Sequence, residues 1–138
     1  MVNVIDMQDL RHLNLFGKIT HVRTRFCIRY NDGVIFCVPK GLVSKSIGEG
    51  GKNIRQINKI IGKKVKVVQS PVGISDAKKF IESIVSPVKF KDLEVKDNEI
   101  VLTAGSMNKA ALLGRNKRRL LEMQKIVKGF FGKEFRII

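Results

Sequence analysis

Residues 38–54 read VPKGLVSKSIGEGGKNI, and this stretch decides the fold of the first half of the chain. Pro39 ends an apolar strand, because proline cannot donate a hydrogen bond to a sheet. A short helix over 42–47 is then interrupted by Gly48-Glu49-Gly50-Gly51, and a longer helix follows over 52–61. Three glycines in four positions allow a sharp turn and a close backbone approach. The second helix directs its free N–H groups at this loop, which predicts an anion site.

Basic residues surround the loop, but neither common nucleotide-binding motif is present. Lys45, Lys52 and Arg55 add positive charge. A Walker loop ending at Lys52 would need Gly at Ser46 and Ser or Thr at Asn53. A dinucleotide fingerprint beginning at Gly48 would need Gly at Asn53. The alternative to an anion site is a helix corner without a ligand, although a plain corner needs only one glycine.

Regular elements extend outward from the loop on both sides. Asp6 is placed to cap a helix with Met7, Leu10, Leu13 and Phe16 at helical spacing. Alternating residues predict a strand over 23–30, and Asn31-Asp32-Gly33 is a turn signal before a second strand over 34–38. Gly62 ends the longer helix, and a last strand is expected over 65–69.

The second half repeats this order, so the chain is predicted to divide near Ser70-Pro71 into domains 1–72 and 73–138. Gly48 and Gly114 lie 66 positions apart, and at the same offset Ile35 meets Val101 and Ile47 meets Leu113. After the longer helix the offset grows by four, so that Gly62 meets Gly132. The predicted elements are a helix capped by Ser75, strands over 88–95 and 100–103, helices over 108–113 and 117–130, and a strand over 135–138. Neither unit is large, and each would be marginally stable alone.

The pattern of strand, proline, short helix, Ile47-Gly48-Glu49-Gly50-Gly51 and longer helix resembles the KH domain, whose Gly-x-x-Gly loop clamps single-stranded nucleotides. The additional helix and strand before this core are similar to the type II form. Two such domains in tandem resemble the archaeal NusA transcription factors. The resemblance implies an α+β (α/β) fold with two type II KH domains, each a small three-stranded mixed sheet packed on helices. It also implies single-stranded RNA binding in transcription termination or antitermination.

The resemblance assigns RNA contacts to both loops and to their flanks. It implies a groove floored by Ile47 and Ile54, with Val65 or Val67, whereas Ile57 and Ile60 are expected in the core. Two residues depart from the pattern: Glu49 stands where a basic residue is usual, and Lys117 replaces the last glycine of the second loop. The candidate RNA-binding residues are Lys45, Ile47, Gly48, Glu49, Gly50, Gly51, Lys52, Ile54, Arg55, Gly114, Arg115, Asn116, Lys117 and Arg118.

Charge favours a polyanionic partner. The 138 residues include 27 Lys and Arg against 12 Asp and Glu, a formal net charge of +15. RNA, DNA or an anionic membrane face would suit such a protein. No apolar run reaches the length that spans a bilayer, and the acidic Asp6 and Asp9 do not fit a signal peptide. These observations predict a cytoplasmic protein with a polyanionic partner and no membrane. The resemblance further implies that this partner is single-stranded RNA, with RNA polymerase or other transcription factors as further partners and no small-molecule substrate.

The remaining chemistry-bearing residues suggest no enzyme, cofactor or metal site. Cys27 and Cys37 flank the 31–33 turn symmetrically, which predicts thiols facing each other across a hairpin, with a disulfide as the less favoured alternative. His12 and His21 have no partner at catalytic or metal spacing and are expected at the surface or in caps. The alternative function is a ribosomal or ribosome-assembly scaffold of KH type, although such proteins often carry disordered basic tails.

Overall fold

The computed structural model describes residues 7–138, so the predicted cap at Asp6 lies outside the described residues. Within this range the chain forms two compact units, residues 7–70 and residues 71–138. Each unit has its own sheet and its own helices, and each is described by itself below.

The first unit contains a three-stranded mixed sheet and three α-helices among residues 7–70. The central strand β2 pairs antiparallel with β1 and parallel with β3. A short 3-10 turn over Glu49–Gly51 joins the second and third helices. The elements in chain order are α1 (Met7–Thr20), β1 (Phe26–Tyr30), β2 (Gly33–Val38), α2 (Val43–Ile47), α3 (Lys52–Ile61) and β3 (Val65–Gln69).

The second unit repeats this order among residues 71–138. Its central strand β5 pairs antiparallel with β4 and parallel with β6. The 3-10 turn over Arg115–Lys117 corresponds to the one in the first unit. The elements are α4 (Ala77–Val85), β4 (Asp92–Val95), β5 (Glu99–Thr103), α5 (Lys109–Leu113), α6 (Arg118–Phe131) and β6 (Glu134–Ile137).

The protein is therefore an α+β protein with two mixed sheets, and the registers follow the repeat found in the sequence. Val34 pairs with Val65 in the first sheet, and Ile100 pairs with Phe135 in the second. These pairs differ by 66 positions on the central strand and by 70 on the last strand. The change of offset occurs where α6 is longer than α3.

Each unit has a core of packed apolar side chains. In the first unit Phe16 of α1 stacks on Phe36 of β2 with ring centroids 4.3 Å apart, and Ile57 of α3 is fully buried beside them. In the second, Phe80 of α4 lies 4.8 Å from the ring of Phe130 on α6. Ile60 does not belong to the core, contrary to the sequence prediction, because the buried face of α3 follows Ile54, Ile57 and Ile61 and leaves Ile60 57% exposed.

The first hairpin corrects the predicted positions of the cysteines. Its turn contains only Asn31 and Asp32, both with positive φ, and Gly33 already belongs to β2. The register therefore pairs Cys27 with Phe36 and Phe26 with Cys37, so the two thiols project from opposite faces of the sheet. They form no disulfide. Burial raises the pKa of the Cys37 thiol to about 12, and the nearby Cys27 thiol adds to this shift.

Several predicted element boundaries are too early. β1 begins at Phe26 rather than at 23, because the Thr24 hydroxyl takes over the hydrogen bonding there: it donates to the carbonyl of Cys37 and accepts from the Phe26 N–H. β4 begins at Asp92 rather than at 88, since the Val88 N–H still closes a turn on Val85. Ser75 lies inside a 3-10 turn, and no side chain accepts a capping hydrogen bond at the start of α4.

The histidines differ in their surroundings. His21 is exposed and has a left-handed backbone at the end of α1, which agrees with a surface position. His12, which was expected at the surface or in a cap, is 9% exposed on the inner side of α1. Helical periodicity explains the difference, because His12 lies four residues before the buried Phe16 and shares its face.

Candidate nucleic-acid interface

The loop between α2 and α3 has a backbone that only glycine adopts readily. Gly48 ends α2 with φ 81° and ψ 166°, Gly50 has φ 61°, and Gly51 precedes α3 with φ 77°. All three values lie on the positive side of φ, where a Cβ atom is strained. All three glycines predicted as a loop are therefore needed for their positive φ. The chain turns sharply enough here to bring α2 against the first turn of α3.

Gly48 is also required by the close approach of a neighbouring side chain. A Cβ atom at this position would lie 2.8 Å from the side-chain amide of Asn53 and 3.1 Å from its backbone nitrogen. The Asn53 amide reaches back across the loop and donates to the Lys45 carbonyl at 3.3 Å. This hydrogen bond joins α3 to α2 and holds the loop between them.

The outer side of the loop is open. A Cβ atom at Gly50 would meet no atom within 4 Å, and a Cβ atom at Gly51 would lie 3.4 Å from the Arg55 guanidinium. Arg55 itself donates to the Gly50 carbonyl, so its positive charge lies beside the loop backbone. Gly51 offers no side chain to cap α3, and the N-terminal end of this ten-residue helix lies next to the loop.

The second loop adopts the same backbone conformation without the second and third glycines. Gly114 has φ 76° and ψ 172°, Asn116 has φ 56°, and Lys117 has φ 59°. Asparagine enters this region more easily than most residues, but lysine rarely does. Substitution of the last glycine by Lys117 thus leaves the loop geometry unchanged, and it places a long cation at the start of α6.

A repeated side-chain brace was missed by sequence reasoning. Arg119 donates to the Ala111 carbonyl at 2.7 Å, and a Cβ atom at Gly114 would lie 2.7 Å from Arg119 Cγ. Asn53 and Lys45 lie at the corresponding positions of the first unit, 66 residues earlier. The sequence does carry a signal for this brace. Both halves have a polar side chain, long enough to cross the loop, five positions after the first loop glycine.

The structure brings the sequence-predicted residues together in two groups, one at each loop. Most of their charged side chains are exposed, and the two isoleucines of the first group are half-buried. Ile54 packs against the core with Val67, so the groove implied by the resemblance would use only the outer parts of these side chains. Exposed members are Lys45, Glu49, Gly50, Lys52, Arg55, Arg115, Asn116, Lys117 and Arg118; half-buried members are Ile47, Gly48, Gly51, Ile54 and Gly114.

The electrostatic character of each site is basic, with one exception. Three cations surround the first loop, and Arg115, Lys117 and Arg118 surround the second. Cations at a helix N-terminus oppose the helix dipole, so a bound anion would relieve an unfavourable arrangement at α6. Glu49 is exposed on the first loop, where its carboxylate is able to point into solvent and away from a phosphate.

Comparisons with known proteins identify relatives over most of the chain. No protein-family profile matches it. Curated proteins named probable transcription termination protein NusA do: one from Methanocaldococcus jannaschii is 28% identical over 88% of this chain, one from Methanococcus vannielii 27% over 71%, and one from Halococcus morrhuae 26% over 83%. The chain is thus similar to archaeal NusA proteins over most of its length.

The matched part covers different shares of these NusA relatives. It spans 67% of the Methanocaldococcus protein, 56% of the Methanococcus protein and 87% of the Halococcus protein. A solved structure described as "Crystal structure of APE1850" is 25% identical and has a TM-score of 0.69, covering 97% of this chain and 99% of that one. This NusA-like chain therefore shares its fold with a protein of nearly the same extent.

Among residues 7–138, no helix of this NusA-like protein has both the length and the apolar character needed to cross a membrane. The longest helices, α1 and α6, have 14 residues each. A membrane-spanning helix needs about 20.

Proposed function

We propose that this protein binds single-stranded RNA through two type II KH domains, residues 1–72 and 73–138, and acts in transcription termination or antitermination. The observation that carries the proposal is the repetition of one loop conformation, 66 residues apart, at the start of a long helix in each unit. The second unit keeps this conformation although Lys117 is strained in it, and such strain is better explained by a ligand than by a helix corner. The strand order, with an antiparallel first pair and a parallel second pair, supports the same assignment.

The chemistry of the loop suits the backbone of a single strand. Phosphate oxygens would accept from the N–H groups at the start of α3, and Lys52 and Arg55 would supply charge. The open space outside Gly50 allows a phosphate to approach the loop backbone without a side chain between them. Bases would then lie along Ile47 and Ile54, whose apolar surface would contact them without selecting one type of base.

The experiment that tests this proposal compares Gly50→Asp with Gly50→Asn. The two side chains have nearly the same shape, and Asn116 already occupies the equivalent position with φ 56°. Both substitutions should leave the fold intact, since a Cβ atom at Gly50 meets nothing within 4 Å. We expect Gly50→Asp to weaken single-stranded RNA binding at least about tenfold relative to Gly50→Asn, equivalent to about 1.4 kcal/mol. Equal affinities of the two folded variants in a fluorescence titration would contradict the loop assignment.

The transcription role requires a separate test, because RNA binding alone does not distinguish it from a ribosomal scaffold. The names of the NusA relatives support the transcription role. A tagged chain should co-purify RNA polymerase from an extract of its own cells treated with ribonuclease. Recovery of ribosomal subunits in place of polymerase would favour the scaffold function instead.

A further inference from the structure

A cluster of three potential metal ligands lies in the first unit, on α1 and β1. Asp9 and His12 are three positions apart on α1 and therefore share one side of the helix. Cys27 lies on β1, on the sheet face that α1 covers. One donor atom from each residue lies within 4.8 Å of the other two. Cys27 is far from Asp9 and His12 along the chain, and for this reason residue spacing did not indicate the cluster.

The cluster is partly protected from solvent. His12 is 9% exposed and its Nδ1 atom is buried, Cys27 is half-buried, and the side chain of Asp9 is 17% exposed. Such burial limits competition from water for the ligand atoms, and it strengthens electrostatic attraction to a cation. The carboxylate supplies a negative charge, and binding of a metal would stabilise a second one on the thiolate.

Arg29 fixes the orientation of the carboxylate. Its Nη2 atom lies 3.1 Å from Asp9 Oδ1 and also donates to Gln8 Oε1 at 3.2 Å. A carboxylate accepts several contacts on its two oxygen atoms, so the ion pair with Arg29 is compatible with a bond to a metal. Partners of this kind commonly orient the ligands of metal sites. The positive charge of Arg29 reduces the affinity for a cation, and the thiolate and carboxylate together offset it.

We propose that Asp9, His12 and Cys27 bind a divalent transition metal of the zinc class. Thiolate and imidazole ligands exclude Mg²⁺ and Ca²⁺, which prefer oxygen atoms alone. Zn²⁺ accepts sulfur, nitrogen and oxygen ligands in a tetrahedral arrangement, and three protein ligands leave one position for water or a further ligand. The metal would join the N-terminal helix to the first strand and stabilise the first unit as its concentration rises.

The first test is a titration of the metal-free chain with Co²⁺, which gives a thiolate-to-cobalt absorption band when a cysteine binds it. We expect one equivalent to bind and Zn²⁺ to displace it. Cys27→Ser should abolish the band, and His12→Gln should lower the affinity by more than about 100-fold, since even supporting residues alter it by 10–100-fold. The chain supplies matched controls, because Cys37→Ser and His21→Gln remove the other cysteine and histidine outside the cluster. Absence of the band in the folded wild-type chain, or its dependence on Cys37, would overturn the proposal.

The second test makes its main comparison on the wild-type chain, with Asp9→Asn as the only variant. Cys37 is fully buried, so a thiol reagent applied to the native protein reports on Cys27. Saturating Zn²⁺ should slow this reaction at least about tenfold, because the bound thiolate is no longer a nucleophile. Equal reaction rates with and without Zn²⁺ would show that the thiol does not bind the metal, whereas a slower rate that Asp9→Asn restores would support all of the assignment.

Discussion

At the scale of single residues, Lys117 is the most informative position in the two loops. It has the left-handed backbone of Gly51, its counterpart in the first unit, although lysine is strained there. It also places a positive charge at the N-terminus of α6, beside Arg115 and Arg118. Both features destabilise the free protein, so a functional reason for the lysine is expected, and a bound phosphate provides one.

We predict that Lys117→Gly makes the protein more stable and a weaker RNA binder. The substitution relieves backbone strain and repulsion by the helix dipole, and it adds conformational entropy to the unfolded chain. Because the first effect is larger, we expect the free energy of unfolding to rise by about 0.5–1 kcal/mol. Lys117→Asn is the matched control, because it removes the same charge with less relief of strain. Urea unfolding measures the stability, and RNA titration should show a similar loss of affinity for both variants. An unchanged affinity would mean that the lysine faces solvent.

Residue-level features of the first loop were accessible from the sequence, whereas those of the brace were accessible only in part. Three closely spaced glycines indicate positive φ directly, as Gly48, Gly50 and Gly51 show. The left-handed backbone of Lys117 contradicts its propensity and becomes visible only in the structure. The hydrogen bond from Asn53 to Lys45 depends on the angle between two helices, which residue spacing does not determine.

At the scale of elements, the repeat predicted the order of helices and strands and their approximate bounds. The deviations have local causes. A two-residue turn, rather than a three-residue one, shifts the register of the first hairpin and moves Cys37 to the face opposite Cys27. A single hydroxyl, that of Thr24, delays the start of β1. Period-two patterns do not report such side-chain hydrogen bonds, and for that reason strand ends were the least accurate part of the prediction.

The helix–loop–helix corner should be sensitive to any Cβ atom at Gly48. Gly48→Ala combines a φ of 81° with a contact of 2.8 Å to Asn53, and it would break the hydrogen bond that joins α2 and α3. We expect a loss of about 2–3 kcal/mol in the free energy of unfolding. Gly73→Ala is the control, because its φ of −162° suits any residue and its Cβ would meet no atom within 4 Å. Equal stability of the two variants would contradict the proposed role of the brace.

At the scale of the whole molecule, charge and specific geometry would make separate contributions to the proposed RNA binding. A net charge of +15 attracts any nucleic acid, and this attraction falls as salt is added. The proposed loop contacts would act differently, since a single strand would meet the loops at particular positions. The composition predicted the attraction by net charge, and the glycine pattern predicted the contacts at the loops. The relative size of these two contributions depends on which cations contact phosphate.

Simultaneous neutralisation of Arg115, Lys117 and Arg118 to Gln measures that balance in the second unit. If all three contact phosphates of a single strand, the slope of log K against log salt should fall by about 2. The control removes three exposed lysines elsewhere in the unit, Lys79, Lys96 and Lys125, with the same change in net charge. A slope that changes equally in both triple variants would assign the effect to overall charge.

The most direct test of the central claim is a competition among single-stranded RNA, double-stranded RNA and single-stranded DNA for the wild-type chain at two salt concentrations. Two loops that hold the backbone of a single strand predict a preference for single-stranded RNA that persists when salt is raised. Binding that ignores the type of strand and disappears at the higher salt concentration would contradict the account, and it would leave the net charge as the whole cause of binding.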